Sequence, residues 1–432
     1  MHKKTMRKKI LVAAVAGALA APAVVFAQYQ DPATTHKTEQ ATTAAVPAAQ
    51  QSVVTLSGAL LVSVDNQQVG NAAATRTKTS ETRLQDESSS VVVSARENLG
   101  NGLAAVGRVD FKVGIPAGTL GAFGDTWVGL DSTSWGSLTA GRHSFHYFKT
   151  PEDAYFLGAS YRVHPSSLID YAGGGRVAIA NATRTPNAIK WTSPKWSGFQ
   201  AIVGYSASPT GASALSADGA PGNTVRNGRA WNVNPTYTAP NWAAGYSFWD
   251  SKPDNPSAVF NAAVAGLGNI PITPPSTSLP SALGQLFSAD QRSNSLYGHY
   301  MWAGWKLGLM WNKTKLTAAA TAAGLAPIGA ELGNRTAWSI PLRYATGPHT
   351  FMATYTKAQD DSATAVQDGA KMWALTYAYA FSKRTYLALS GAKLKNDGSG
   401  AYTPYVSSAS VNGGLAPGES ARTVTLGMRH NF

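Results

Sequence analysis

From Ser52 to the last residue, apolar and polar side chains trade places at every second position, with no sustained 3.6-residue period. A strand patterned this way offers one face to apolar surroundings and the other to water. In AWNVNPTYT, Trp231, Val233 and Tyr237 share a face, and Asn232, Asn234, Thr236 and Thr238 share the other. FQAIVGYS places Phe199, Ala201, Val203 and Tyr205 opposite Gln200, Gly204 and Ser206. RTAWSIPLRY sets Trp338, Ile340, Leu342 and Tyr344 against Ser339 and Arg343. The closing stretch sets Val424, Leu426, Met428, His430 and Phe432 against Thr423, Thr425, Gly427, Arg429 and Asn431. A soluble sandwich alternates too, so period alone leaves two classes open. The polar face separates them: Thr, Ser, Gly, Asn and isolated charges suit a hydrated lumen, and aromatics recur near segment ends, as at membrane interfaces.

Sixteen such segments can be counted, running from 52–64, 88–97, 103–113 and 122–131 through to 421–432. Each is close to the roughly ten residues that a tilted membrane strand needs. Connectors alternate in length: 98–102, 132–136, Pro240 and 382–384 are short, while 145–186, 209–228, 252–292, 317–334 and 397–420 are long. Short turns on one rim and long loops on the other give a barrel two distinct sides, and an even count puts both termini on one of them. The expected fold class is all-β, a transmembrane antiparallel β-barrel over 52–432 with a long third loop at 145–186.

Composition supports this. Charged residues are 14% of the chain, against about 25% in ordinary soluble domains. Mean hydropathy is −0.14, and no apolar run of about 18 residues follows the N-terminal region, which excludes helical spans. The absence of Cys removes disulfides, thiolate nucleophiles and Cys-bound zinc. Residues 1–27 read as a signal peptide: a basic stretch from Lys3 to Lys9, an apolar run from Ile10 to about Ala21, and small residues around Val25-Phe26-Ala27. Residues 28–51, rich in Ala, Thr and Gln, are expected to be a disordered lead-in. Of 36 Lys and Arg, five lie in that leader, so 31 remain against 23 acidic residues, a surplus of eight. They form no run after Lys9, which argues against a nucleic-acid partner.

Several fragments, in order, resemble the Gram-negative general porins of the β-proteobacterial outer-membrane trimeric type. Ser52-Val53-Val54-Thr55-Leu56-Ser57-Gly58 resembles the opening strand, and Glu97-Asn98-Leu99-Gly100-Asn101-Gly102-Leu103 the first turn. Trp127-Val128-Gly129-Leu130 and Gly136-Ser137-Leu138-Thr139-Ala140-Gly141-Arg142 resemble the strand pair before the third loop. Asn187-Ala188-Ile189-Lys190-Trp191-Thr192-Ser193-Pro194 and Ser197-Gly198-Phe199 resemble the strand and turn after it. Phe381-Ser382-Lys383-Arg384-Thr385 and Gly427-Met428-Arg429-His430-Asn431-Phe432 complete the set, so the resemblance covers Ser52 to Phe432.

The resemblance implies an outer-membrane channel for small hydrophilic solutes and ions, narrowed where the third loop folds into the barrel. It places Glu152 near the family's acidic loop position, with Asp153, Asp170, Arg162 and Arg176 on the same loop, and sets Arg184 across the constriction. It also makes Asp110 an acidic lumen position. Parity puts Arg108, Lys112 and Lys190 on that lumen face as well. Val91 and Gly124 stand where family members usually carry wall arginines, which weakens the expectation of strong anion selectivity. Arg142 falls on the outward face and resembles an arginine near the subunit contact of a homotrimer, formed by first strands whose outward faces carry Val92 and Val128. Phe432 resembles the signal read by the barrel-assembly machinery. Outer-membrane lipid and lipopolysaccharide are implied as surroundings.

Other readings stay open here. A hydrolase barrel would need a nucleophile with a base in reach, but adjacent His143 and Ser144 point to opposite faces of a strand. His143 and His146 have a weak metal-like spacing without an obvious third ligand. No catalytic residue, metal ligand or cofactor is therefore expected. A substrate-specific channel for organic anions or sugars would line its path with aromatics or basic groups, for which Trp302, Trp305 and Trp311 are candidates, although Trp311 shares the lipid-facing parity of Leu307 and Leu309. Long loops could add an adhesion or phage-receptor role alongside conduction.

Overall fold

In hydrocarbon every backbone N–H and C=O must find its partner within the protein, and strands meet that need only by closing on themselves. The computed structural model describes residues 52–146, 160–169, 184–209, 228–252, 287–321, 329–363, 365–404 and 414–432, and the expected signal peptide and lead-in lie outside them. The strands are β1 (Val53–Gly70), β2 (Ser80–Asp86), β3 (Ser90–Gly100), β4 (Leu103–Gly114), β5 (Thr119–Phe123), β6 (Thr126–Ser132), β7 (Gly136–His143), β8 (Thr185–Thr192) and β9 (Phe199–Ser206). They continue with β10 (Arg229–Thr238), β11 (Trp242–Lys252), β12 (Phe287–Trp302), β13 (Trp305–Thr321), β14 (Glu331–Thr346), β15 (His349–Ala358), β16 (Ala370–Ala380), β17 (Thr385–Asn396) and β18 (Ser420–Asn431). Every pairing is antiparallel, and β18 returns to β1, so the sheet has no free edge. Phe432 completes the seam: its N–H donates to the Gly58 carbonyl at 3.1 Å, and Gly58 N–H donates to the Phe432 carbonyl at 3.0 Å. A Cβ at Gly58 would lie 2.7 Å from the Phe432 ring, so only glycine leaves the terminal aromatic its place.

β2 and β3 both pair with β1, and β5 and β6 both pair with β4, so the barrel has sixteen wall strands with two of them interrupted. The structure lengthens several sequence expectations. β1 runs to Gly70 rather than ending at 64, β2 was unforeseen, and β12 and β14 begin at Phe287 and Glu331 rather than 293 and 335. β8 begins at Thr185, so the third connector occupies 144–184 rather than 145–186. These added turns of ladder sit at the long-loop rim, where both faces meet water and alternation carries no signal.

The two faces meet different surroundings. Val128, Leu296, Leu309, Trp373 and Leu375 are exposed on the outer face, while Asn232, Ser293, Asn312, Thr314 and Thr356 are buried on the inner one. Aromatic pairs ring the outer surface near the short turns, Tyr237 with Trp242 at 5.1 Å and Trp305 with Tyr344 at 4.6 Å. A second set, Trp338, Tyr355 and Trp373, stands toward the other rim, with ring centroids 5.2 and 4.2 Å apart. Such girdles mark the two interfaces of a membrane barrel. The inner face is not uniformly polar. Met310, Ala337, Ala358, Met372 and Leu394 form an apolar patch on β13 to β17, and it is covered by Val163, Leu168 and Ile169 of the third loop. The described residues 160–169 of the third loop thus lie inside the barrel.

Candidate functional site

The third loop leaves β7 at His143 and is fastened at once. Phe145 is buried beside Trp249 of β11, with ring centroids 6.2 Å apart, and fills the space above Gly204. His146 is fully buried, with Nδ1 2.8 Å from Ser247 Oγ and Nε2 2.9 Å from Ser293 Oγ. Burial pushes its pKa down to about 3, so the ring is neutral. The described residues 160–169 reach other walls. Arg162 donates from Nε to Asp65 Oδ2 of β1 at 2.8 Å and also bonds Gln67. Ser160 Oγ donates to the same Asp65 oxygen at 3.1 Å, and Tyr161 N–H donates to Glu87 at 2.9 Å. Ser63 links the two carboxylates, at 2.8 Å to Asp65 and 3.0 Å to Glu87. His164, buried nearby, is also pushed down to about 3 by burial, and its ring accepts from Ser166 N–H at 3.2 Å.

At the wall facing this loop, β4 turns its even positions inward. Arg108, Asp110 and Lys112 follow one another down that face, with Lys112 Nζ 3.1 Å from Asp110 Oδ2. The break between β5 and β6 lies opposite. Gly124 N–H donates to the Asp110 carbonyl at 2.7 Å, and a Cβ on Gly124 would lie 2.1 Å from Asp110 Oδ2. Asp110 therefore occupies the space that a side chain at Gly124 would need. Val91 is a correction: it pairs with Phe111 on the outer face and is not a lumen position. Val92 is a second one, because it is buried on the lumen side opposite Asp110 and not available to a subunit contact. Val128, 66% exposed, does face outward.

Lys190 of β8 faces in, with Nζ 5.9 Å from the centre of the Trp127 ring. Trp127 stacks on His143 at 6.0 Å, and His143 meets Phe145 at 5.9 Å, so a ladder of rings runs along the inner wall to Trp249. Arg184 closes the loop at the head of β8 with a left-handed φ of 52°. Its N–H donates to Ser144 Oγ at 3.3 Å, its carbonyl accepts Arg142 Nε at 2.9 Å, and Ser144 Oγ donates to Asp125 at 2.8 Å. Arg184 and Asp125 both act electrostatically on Lys112. The structure thus brings Arg184, Lys112 and Asp110 into one neighbourhood. Glu152, Asp153, Asp170 and Arg176 lie outside the described residues.

Arg162, noted in the sequence only as a third-loop residue, is fully buried against Asp65 and anchors the loop. Trp302 and Trp305 are 43% and 38% exposed on the outer surface, and Trp311 shares their face, so none lines the path. His143 is held by Thr139 at 3.2 Å, and His146 by serines on other strands, so the pair does not converge. Asp65 and Glu87 were missed by sequence reasoning, although Asp65 shares lumen parity with Ser63 and Gln67.

The sequence profile of the Gram-negative porins matches residues 38–399. Among solved structures, the chain is similar to an anion-selective porin from Comamonas acidovorans, with 19% identity over 88% of this chain and 100% of that one and a TM-score of 0.64. It is also similar to OmpT of Vibrio cholerae in its trimer form (14% identity, 88% and 99% coverage, TM-score 0.57). The same holds for Salmonella typhi OmpF in complex with daunomycin (10% identity, 88% and 97% coverage, TM-score 0.53). At these identities the likeness carries the fold. Comparison with curated proteins returned no match.

Proposed function

Because this chain belongs to the Gram-negative porin family, we propose that its outer-membrane channel passes small hydrophilic solutes and ions by passive diffusion, through a narrow zone formed by the third loop, β4 and β8. The carrying observation is that described stretches of one loop touch β1, β11, β12 and the β13–β17 patch from inside a closed sixteen-strand wall. A barrel that wide is not filled by its own side chains, so water fills what the loop leaves. Around the narrow zone, Arg108, Lys112, Lys190 and Arg184 outnumber Asp110 on the wall side, and the third loop contributes Glu152, Asp153 and Asp170 by sequence. Opposed charges impose a transverse field that orients dipolar solutes, and the surplus of eight basic residues outside the leader favours anions. The similar porin from Comamonas acidovorans is anion-selective, which has the same sign.

The remaining roles belong to the same proposal. Residues 1–27 are removed on export, and residues 28–51 precede the barrel on its short-turn side. Three copies associate through the outer faces of the early strands, near Val128, Leu130, Leu138 and Arg142. Phe432 serves the barrel-assembly machinery, lipopolysaccharide surrounds the long-loop rim, and the chain carries out no chemical step. Planar-bilayer recording in a salt gradient tests the core of this. Stepwise conductance with a reversal potential on the anion side is expected, and Arg184→Ala should move that potential several millivolts toward cations. An unmoved potential removes Arg184 from the narrow zone, and an absence of steps removes the channel.

A further inference from the structure

Near the long-loop rim, the outer faces of β15 to β18 carry five cations: Lys357, Lys371, Lys393, Lys395 and Arg422. Register sets Lys357 opposite Lys371, and Lys371 opposite Lys395, so three ammonium groups share one row on three neighbouring strands. Two residues nearer the short turns, Lys393 stands opposite Arg422. Neighbouring strands lie about 4.8 Å apart, and like charges directly opposite one another destabilise a sheet. None of the five has an ion-pair partner among the described residues. Of the carboxylates closest in sequence, Asp360 accepts from Gly369 N–H at 2.7 Å, and Asp397 lies against the same glycine. On β11 to β14 two of the outer cations are paired, Arg292 with Asp250 and Lys315 with Glu331. Among the described residues, the repulsion on β15 to β18 is therefore not offset by an ion pair.

A second feature lies directly beneath. The row below Lys393 and Arg422 runs Ala353, Leu375, Gly391, Val424 in register. It forms part of a groove of about 630 Å³ in the outer wall, flanked by Phe351 and Leu389. Gly391 opens it, since a Cβ built there meets nothing nearer than the Thr423 carbonyl at 3.8 Å. Alternate residues are about 7 Å apart along a strand, so the groove begins about 7 Å below Lys393 and about 14 Å below the lysine row. Tyr355 and Trp373, members of the upper aromatic girdle, mark the level between.

We propose that this face of the barrel is a built site for a phosphorylated, multiply acylated lipid of the outer leaflet, with phosphates on the five cations and an acyl chain in the groove. The proposal rests on the outer-membrane porin reading. A soluble anion would use the cations and leave the groove empty, whereas a lipid explains both at their observed spacing.

The test uses the full-length protein purified in mild detergent, with bisphosphorylated lipid A, its dephosphorylated form and inorganic phosphate as probes, and binding read by native mass spectrometry. The phosphorylated lipid should bind at least tenfold tighter than the dephosphorylated one. Lys371→Gln/Lys393→Gln/Lys395→Gln should abolish that difference, and Gly391→Leu, which fills the groove, should weaken both lipids. Equal affinity of the wild-type chain for the two lipids, or displacement of bound lipid by millimolar inorganic phosphate, overturns the site. Recording channels from the same preparation separates the two readings. A conducting protein that ignores the phosphates sinks only this site, and a lipid-binding protein that never conducts sinks only the channel.

Discussion

His146 is a titratable ring held where it stays neutral, between hydroxyls of two neighbouring strands. In a hydrated, undocked loop it would titrate near its ordinary 6.5, whereas in place burial holds it at about 3, and the same holds for His164. Below pH 6.5 the undocked loop binds protons that the docked loop cannot. Docking stability is therefore complete above 6.5 and lost progressively as pH falls toward 3. Open-channel noise in bilayers should grow between pH 6.5 and 4, and the His146→Gln/His164→Gln double variant should be flat over that range. Equal wild-type noise at pH 7.5 and 4 would refute the coupling. At this scale the sequence was legible in part. Parity alone put Arg108, Asp110, Lys112 and Lys190 on one face, because parity is local. The anchoring role of Arg162 was not legible because its partner Asp65 is 97 residues away, and no pattern within a strand reports so distant a pair.

A strand or loop is fixed by what its ends can tie to. The loop between β1 and β2 is bound to the head of β18 through Arg76, whose Nε donates to Glu419 Oε1 at 2.6 Å. Burial alone would raise the Glu419 pKa, but Arg76 and the N–H groups of Ala73 and Ala416 outweigh it and hold the carboxyl below its usual range. A lowered carboxylate pKa stabilises this clamp above the unfolded value and ceases to as pH falls through the folded one. Limited proteolysis should find residues 71–79 protected at neutral pH and cut several-fold faster at pH 3. Glu419→Gln should be cut fast at both, and a pH-independent wild type would dismiss the clamp. The same scale explains why β2 and the early part of β12 escaped notice. SETRLQD has polar residues at both parities, since above the girdle neither face needs to be apolar. The break between β2 and β3, with Ser88 at φ 68°, also shows why matching Val91 to a lumen position failed: interrupted strands do not keep a phase that can be counted through them.

Closure, strand number and the shared side of the two termini were readable because they need only a period of two and an even count. What the whole barrel does with its charge is a separate question, because a surplus of eight basic residues is scattered along the chain rather than gathered in a motif. Scattered charge acts through its summed field, and that field is screened over about 30 Å in 10 mM salt but only about 3 Å in 1 M. If selectivity comes from diffuse attraction along the lumen, the anion-to-cation permeability ratio should fall toward the ratio of free mobilities as salt rises. The effect of Arg184→Ala should shrink with it. If anions instead sit at a discrete site among Arg108, Lys112 and Lys190, direct contacts would survive concentrated salt, and conductance would saturate with anion concentration. Reversal potentials under equal tenfold gradients, centred at 30 mM and at 1 M, separate these cases. A ratio that does not fall at the higher concentration would replace a general diffusion channel with a substrate-specific one.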